Sequence, residues 1–195
     1  MRDIIISDYL SSLKEDKELD YIFTLLLKSM EFQVVSTPVH SKGLTQNGKD
    51  VVAIGKDEKG MRWKWYFIIK GHAAKDINTQ NFYAEEGIRE SLLTAKDVGF
   101  KSYSLPGFNN LPTKYVIVHN GIVKENARVQ FEELINREFD EGTVEDWGIE
   151  KLTFLFYRHL FNECLFADDE SYFFYVAFQI IGKYLLFINC LLSIT

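Results

Sequence analysis

The sequence predicts an α/β fold: a mixed β-sheet flanked by helices over residues 1–147, then an all-α segment over residues 148–195. Three observations carry this. Two runs rich in β-branched and aromatic residues, Asp50–Ile54 and Met61–Lys70, flank a tight polar turn, Gly55–Gly60. Helical and strand patterns then interleave up to Trp147. From Ile149 onward only helical periodicity remains.

Taken in order, residues 7–15 read as a short helix capped by Ser7 or Asp8. A clearer helix follows, because Leu19, Ile22, Phe23, Leu26 and Met30 make one apolar stripe that Asp16 can cap. Asp20 lies at the edge of that stripe. Phe32–Ser36 is a short strand, and Pro38, Gly43 and Gly48 mark a loop carrying His40 and Lys42. The hairpin comes next. Side chains alternate along its strands, so Asp50 shares a face with Val52, while Lys64, Tyr66, Ile68 and Lys70 share a face of the second strand. Trp63 and Trp65 fall on the opposite face, toward a core. A carboxylate and an ammonium thus meet near one end of an apolar hairpin. Two readings stand for them, a functional cluster and an ion pair at the sheet rim.

After a polar crossing over Gly71–Asn81, a helix is expected from Phe82 to Val98, with Gly87 as its weak point and Gly99 as its stop. Lys114–His119 is an apolar run suited to a buried strand, and Asn120-Gly121 turns the chain. Glu125–Phe139 is helical, and Thr143–Trp147 is a last strand. A strand–helix–strand order implies a right-handed crossover and a parallel pair. Ile149, Leu152, Leu155, Phe156 and Leu160 line one amphipathic helix. Tyr172–Ile194 is apolar nearly all round, but Gln179, Lys183 and Asn189 interrupt it, which favours a helix of an all-α region over a membrane span. The chain then reads as part of a longer protein whose next helices cover this one.

The 195 residues are enough for one sizeable core, and 47% hydrophobic with 26% charged is a globular composition, not a disordered one. The net charge of −6 argues against bulk nucleic-acid binding, yet it is uneven. Residues 1–124 carry 17 basic and 15 acidic side chains, residues 125–195 carry 5 and 13, and the stretch 42–75 carries 8 and 3. A basic hairpin can meet phosphates while the acidic end faces away; a solvated hairpin is the plainer reading. The two cysteines, Cys164 and Cys190, lack metal-ligand spacing and suit a reducing cytoplasm. The N-terminus has too short an apolar run for a secretory signal.

The element order to residue 147, α–β–β–β–α–β–α–β after the short first helix, resembles the core of the PD-(D/E)xK nuclease superfamily, the restriction-endonuclease-like fold, in its Mrr-like or defence-associated branch. The resemblance covers about residues 17–147. It implies a metal-dependent nuclease that hydrolyses phosphodiester bonds of DNA or RNA. It matches Asp20 on the helix, Asp50 opening the second strand, and Ile68-Ile69-Lys70 on the third. In that family's terms Asp50, the Ile69 carbonyl and Asp20 would hold Mg²⁺ or Mn²⁺, with Glu18 as the alternative helix acid. Lys70 would hold the attacking water and offset charge on the phosphate. Lys42, Lys49, Lys64 and His72 would contact the nucleic acid, DNA before RNA. Ile68 departs from the pattern, since the family places Glu, Asp or Gln there. Glu86 or Glu90 on the next helix is the expected substitute. The other reading is a nuclease-fold module without activity that binds nucleic acid or protein, assembling through its helical end as a homodimer or with a further helical domain.

Overall fold

The computed structural model describes residues 2–37, 48–71, 76–85 and 87–161. The expected helix Tyr172–Ile194 and both cysteines lie outside them. Five strands form one mixed sheet in the order β1-β2-β3-β4-β5. These are β1 (Gln33–Ser36), β2 (Val51–Lys56), β3 (Arg62–Lys70), β4 (Thr113–His119) and β5 (Val144–Trp147). The first three pair antiparallel, and β3, β4 and β5 pair parallel. Each parallel connection carries helices, as a parallel return requires.

The helices lie on both faces. On one face α1 (Arg2–Ser12), α2 (Asp20–Ser29) and α6 (Ile149–His159) close over Val51, Ala53, Trp65, Phe67, Ile69, Val116 and Val118. On the other, α3 (Thr79–Phe82), α4 (Ile88–Asp97) and α5 (Glu125–Glu138) cover Ile68 and Ile117. Val52, Ile54, Tyr66 and Phe108 extend that second core under the loop before β4. The alternation read from the hairpin is therefore the one that sorts its side chains between two cores. Trp63 and Trp65 turn to the α1–α2 side, where Trp65 is buried.

Three elements differ from the sequence reading. The first helix starts at Arg2, not residue 7, because Ile6, Leu10 and Leu13 recur at helical spacing and all reach the core. The helix expected over Phe82–Val98 is broken. Asn78 and Asn81 form a reciprocal capping box on α3, and Gly87 is extended at the head of α4. The extended Gly87 starts α4 afresh, and a Cβ there would fall 2.4 Å from the Asn81 carbonyl oxygen, so only glycine fits this close approach. Finally, α6 was placed in a separate helical segment, yet its Leu152, Leu155 and Phe156 belong to the same core as α1 and α2. Among the described residues no helix is long and apolar enough to cross a membrane.

Gly48 sets where β2 begins. Its φ is +74°, and a Cβ there would lie 2.2 Å from the Ser91 carbonyl oxygen of α4. The chain arrives at Asp50 pressed against that helix backbone. Gly48→Ala is expected to lower unfolding free energy by about 2–3 kcal/mol, from left-handed strain plus overpacking against a rigid turn. Urea denaturation checks it; a loss under about 0.5 kcal/mol would mean that α4 yields easily.

Candidate active site

The site is built where β3 runs on past the start of β2. The β2–β3 ladder reaches Val51↔Phe67, and the Asp50 amide still donates to the Phe67 carbonyl at 2.9 Å. Before Asp50 the chain turns toward α4 at Gly48, while β3 runs on to Lys70. Along β3 the even-numbered amides face β4, as the Lys64 amide does in donating to the Pro112 carbonyl. Odd-numbered groups therefore face the side that β2 has left. There the Ile69 amide donates to Asp50 Oδ2 at 2.6 Å, and the Gly71 amide donates to Glu15 Oε2 at 2.9 Å. A residue's N–H and C=O point the same way in a strand, so the Ile69 carbonyl faces the same edge, between the two carboxylates.

Glu15 reaches this edge through an irregular turn. Residues Glu15–Leu19 form a π-type turn, closed by the Leu19 amide on the Lys14 carbonyl at 2.9 Å, and Lys17 within it has a φ of +68°. A non-glycine residue there is strained, and such turns cluster at functional sites. Gly71 makes the approach possible. A Cβ on it would sit 3.0 Å from the Glu15 nitrogen and 3.1 Å from its Cα. The same turn delivers Asp20, buried at 8% exposure, as the first residue of α2, where its Oδ1 accepts from the Tyr21 amide at 2.7 Å.

The electrostatics converge on Asp50. Burial is the largest influence and pushes its carboxyl up to about 6. The Ile69 amide and the Lys70 ammonium pull it down, and the charges of Glu15 and Asp20 push it up again. Asp50, Lys70, Glu15 and Asp20 are thus one electrostatic neighbourhood. Of the residues expected at the site, Asp50 is bonded to the Ile69 amide, and Lys70 and Asp20 act on it through their charges; Glu15 is a further carboxylate that the sequence reading lacks.

The remaining expectations fare differently. Ile68 is in the apolar core beneath α4 and α5 and offers no oxygen. Glu18, the alternative helix acid, folds back to accept from the Lys14 amide at 2.8 Å. Glu90, a suggested substitute for the missing acid, lines a separate cavity of about 180 Å³ with Tyr83, Ala84, Glu85 and Arg89. Glu86, the other, lies outside the described residues, as do Lys42 and His72. Two lysines proposed to meet phosphates are buried instead. Lys49 donates to the Val98 carbonyl and lies 5.3 Å from the Tyr66 ring centre, and burial lowers its ammonium to about 8. Lys64 sits over the Tyr66 and Phe108 rings, and burial lowers its ammonium too. The excess of lysines in the hairpin is therefore partly an internal feature, with cations stacked on aromatic faces. Asn120, read as a turn residue, donates to the Leu10 and Leu13 carbonyls at 2.7 and 2.9 Å and ties the end of α1 to β4.

For a divalent cation the donors at this point are few. Among the described residues no three His, Cys, Asp or Glu side chains are placed to enclose an ion. Mg²⁺ seldom needs that, because it keeps several waters and binds through one or two carboxylates plus substrate phosphates. Asp50, Glu15 and the Ile69 carbonyl, along one strand edge, are hard oxygen donors of that kind. No family model, curated protein or solved structure matches the chain.

Proposed function

We propose that this chain is a metal-dependent nuclease of the restriction-endonuclease-like class, hydrolysing phosphodiester bonds of DNA. One observation carries the reading: Asp50 is bonded to the Ile69 amide where β3 runs on past the start of β2, with Lys70, Glu15 and Asp20 as its charged neighbours. Asp50, Glu15 and the Ile69 carbonyl would hold Mg²⁺ or Mn²⁺, with Asp20 binding it through water. Glu15 takes the place of the acid that Ile68 lacks. When bound, the ion polarises the phosphoryl oxygen and acidifies a water. Lys70 orients that water and offsets the negative charge growing on the phosphate, an interaction stronger in the transition state than in the ground state. The β1–β2–β3 meander and the parallel β3–β4–β5 half also support the class.

The test is cleavage of supercoiled plasmid and of RNA with Mg²⁺ or Mn²⁺ and with chelator. Metal-dependent cleavage is expected, falling roughly a hundred-fold or more in Lys70→Ala while the circular dichroism spectrum is kept. A folded wild type that cuts neither substrate with any divalent ion would leave the non-catalytic module as the correct reading.

A further inference from the structure

His119 ends β4 and is 1% exposed, yet the reaction outlined above leaves it without a task. Its Cα is level with that of Lys70 on the neighbouring parallel strand. Adjacent parallel strands lie about 4.8 Å apart, and residues at one level put their side chains on the same face. Lys70 and His119 therefore stand side by side. On the far side of His119, its Nε2 lies 2.8 Å from Asp146 Oδ1 of β5. The ring is clamped there, since a Cβ on Gly148 would come within 3.0 Å of its Cε1 and 3.1 Å of its Nε2. A carboxylate only accepts, so the nitrogen facing Asp146 carries a proton, and in the neutral form of the ring Nδ1 is a hydrogen-bond acceptor. That Nδ1 is buried and has no partner among the described residues. A buried acceptor left alone is costly, and a lysine ammonium has three donors to share.

We propose that His119, fixed by Asp146, is a positioning residue for Lys70: its Nδ1 accepts from a water that the Lys70 ammonium donates to. The sheet then carries a row on one face, from Asp146 through His119 and Lys70 to Asp50. The row leaves Lys70 two further donors for Asp50 and for the water or phosphate. The inference rests on the proposed nuclease site for its catalytic consequence but not for the contact itself.

Two replacements separate the contact from mere packing. An Asn at 119 places an amide atom near the Nδ1 position, whereas a Gln reaches toward Asp146 and abandons Nδ1. His119→Gln is expected to lower kcat roughly ten- to a hundred-fold with KM within about two-fold, and His119→Asn to recover most of that loss. A purely structural role reverses the order, because Gln would keep the Asp146 bond. The contact is read without any cleavage from long-range ¹H–¹⁵N spectra of the histidine ring. The Nδ1 signal of the wild type should be that of an unprotonated nitrogen accepting a hydrogen bond, and should move to that of a free acceptor in Lys70→Met, or in Lys70→Gln if the first does not fold. An Nδ1 signal unmoved by either change overturns the inference, whatever the cleavage assay gives. A responsive Nδ1 in a protein that cuts nothing would sustain the contact and remove the nuclease reading.

Discussion

Asp50→Asn is expected to make the protein more stable while removing the proposed cleavage activity. The carboxyl is raised from its ordinary value to about 6, chiefly by burial and then by the Glu15 and Asp20 charges, against the pull of Ile69 and Lys70. A folded pKa above the unfolded one means that the native state holds its proton more tightly. The wild type is therefore least penalised below about pH 4, loses stability as the pH rises through about 6, and carries the full penalty above that. The span corresponds to on the order of 2–3 kcal/mol. Asparagine resembles the protonated side chain and still accepts from the Ile69 amide, so it escapes the cost of ionisation. At pH 7.5 the variant should melt roughly 4–10 °C above the wild type, and the two should converge near pH 4. Cleavage should fall about a thousand-fold, since a neutral amide cannot supply the anionic ligand. An Asp50→Asn protein less stable than the wild type at pH 7.5 would make the carboxylate a structural group and count against its role in the site.

Phe67→Ala is expected to cost about 3–5 kcal/mol and to bring the chain close to unfolding. Phe67 is fully buried at the middle of β3. Its ring centre lies 5.1 Å from that of Phe23 on α2, 5.6 Å from Trp147 on β5, and 6.1 Å from both Phe32 and Trp65. It joins the helix that starts at Asp20 to the strand that ends at Lys70. Alanine there removes a large apolar surface and leaves a cavity among rings that cannot all shift inward. The Phe67 carbonyl also receives the Asp50 amide, so loosening at this point disturbs the start of β2. Urea denaturation followed by tryptophan fluorescence measures the loss. A change under about 1 kcal/mol would show that α2 and the sheet are held together elsewhere.

Much of this arrangement was legible in the residues. The alternation of the hairpin fixed which side chains share a face, and so brought Asp50 and Lys70 to one end of the sheet. The strand–helix–strand order implied the parallel pairs. What stayed hidden has a physical cause in each case. Glu15 reaches the site only because the turn before α2 is π-type with Lys17 in the left-handed region, and no apolar periodicity encodes that. The one signal was Gly71, directly after Lys70, whose missing side chain admits Glu15. Lys49 and Lys64 invite a reading as phosphate contacts because counts of charge carry no depth, whereas both stack on buried rings. The His119–Asp146 pair joins residues 27 positions apart, and only the register of β3, β4 and β5 brings it beside Lys70.

On the proposed reading the Asp50 carboxylate stands, largely dehydrated, where a hard cation reaches it. Carbon-13 NMR titration of that carboxyl, with and without Mg²⁺, tests this most directly. A midpoint near 6 is expected in the absence of the ion and a clear fall when Mg²⁺ is added, because a bound cation favours the charged form. A midpoint at the ordinary aspartate value of about 4, unmoved by Mg²⁺, would contradict it.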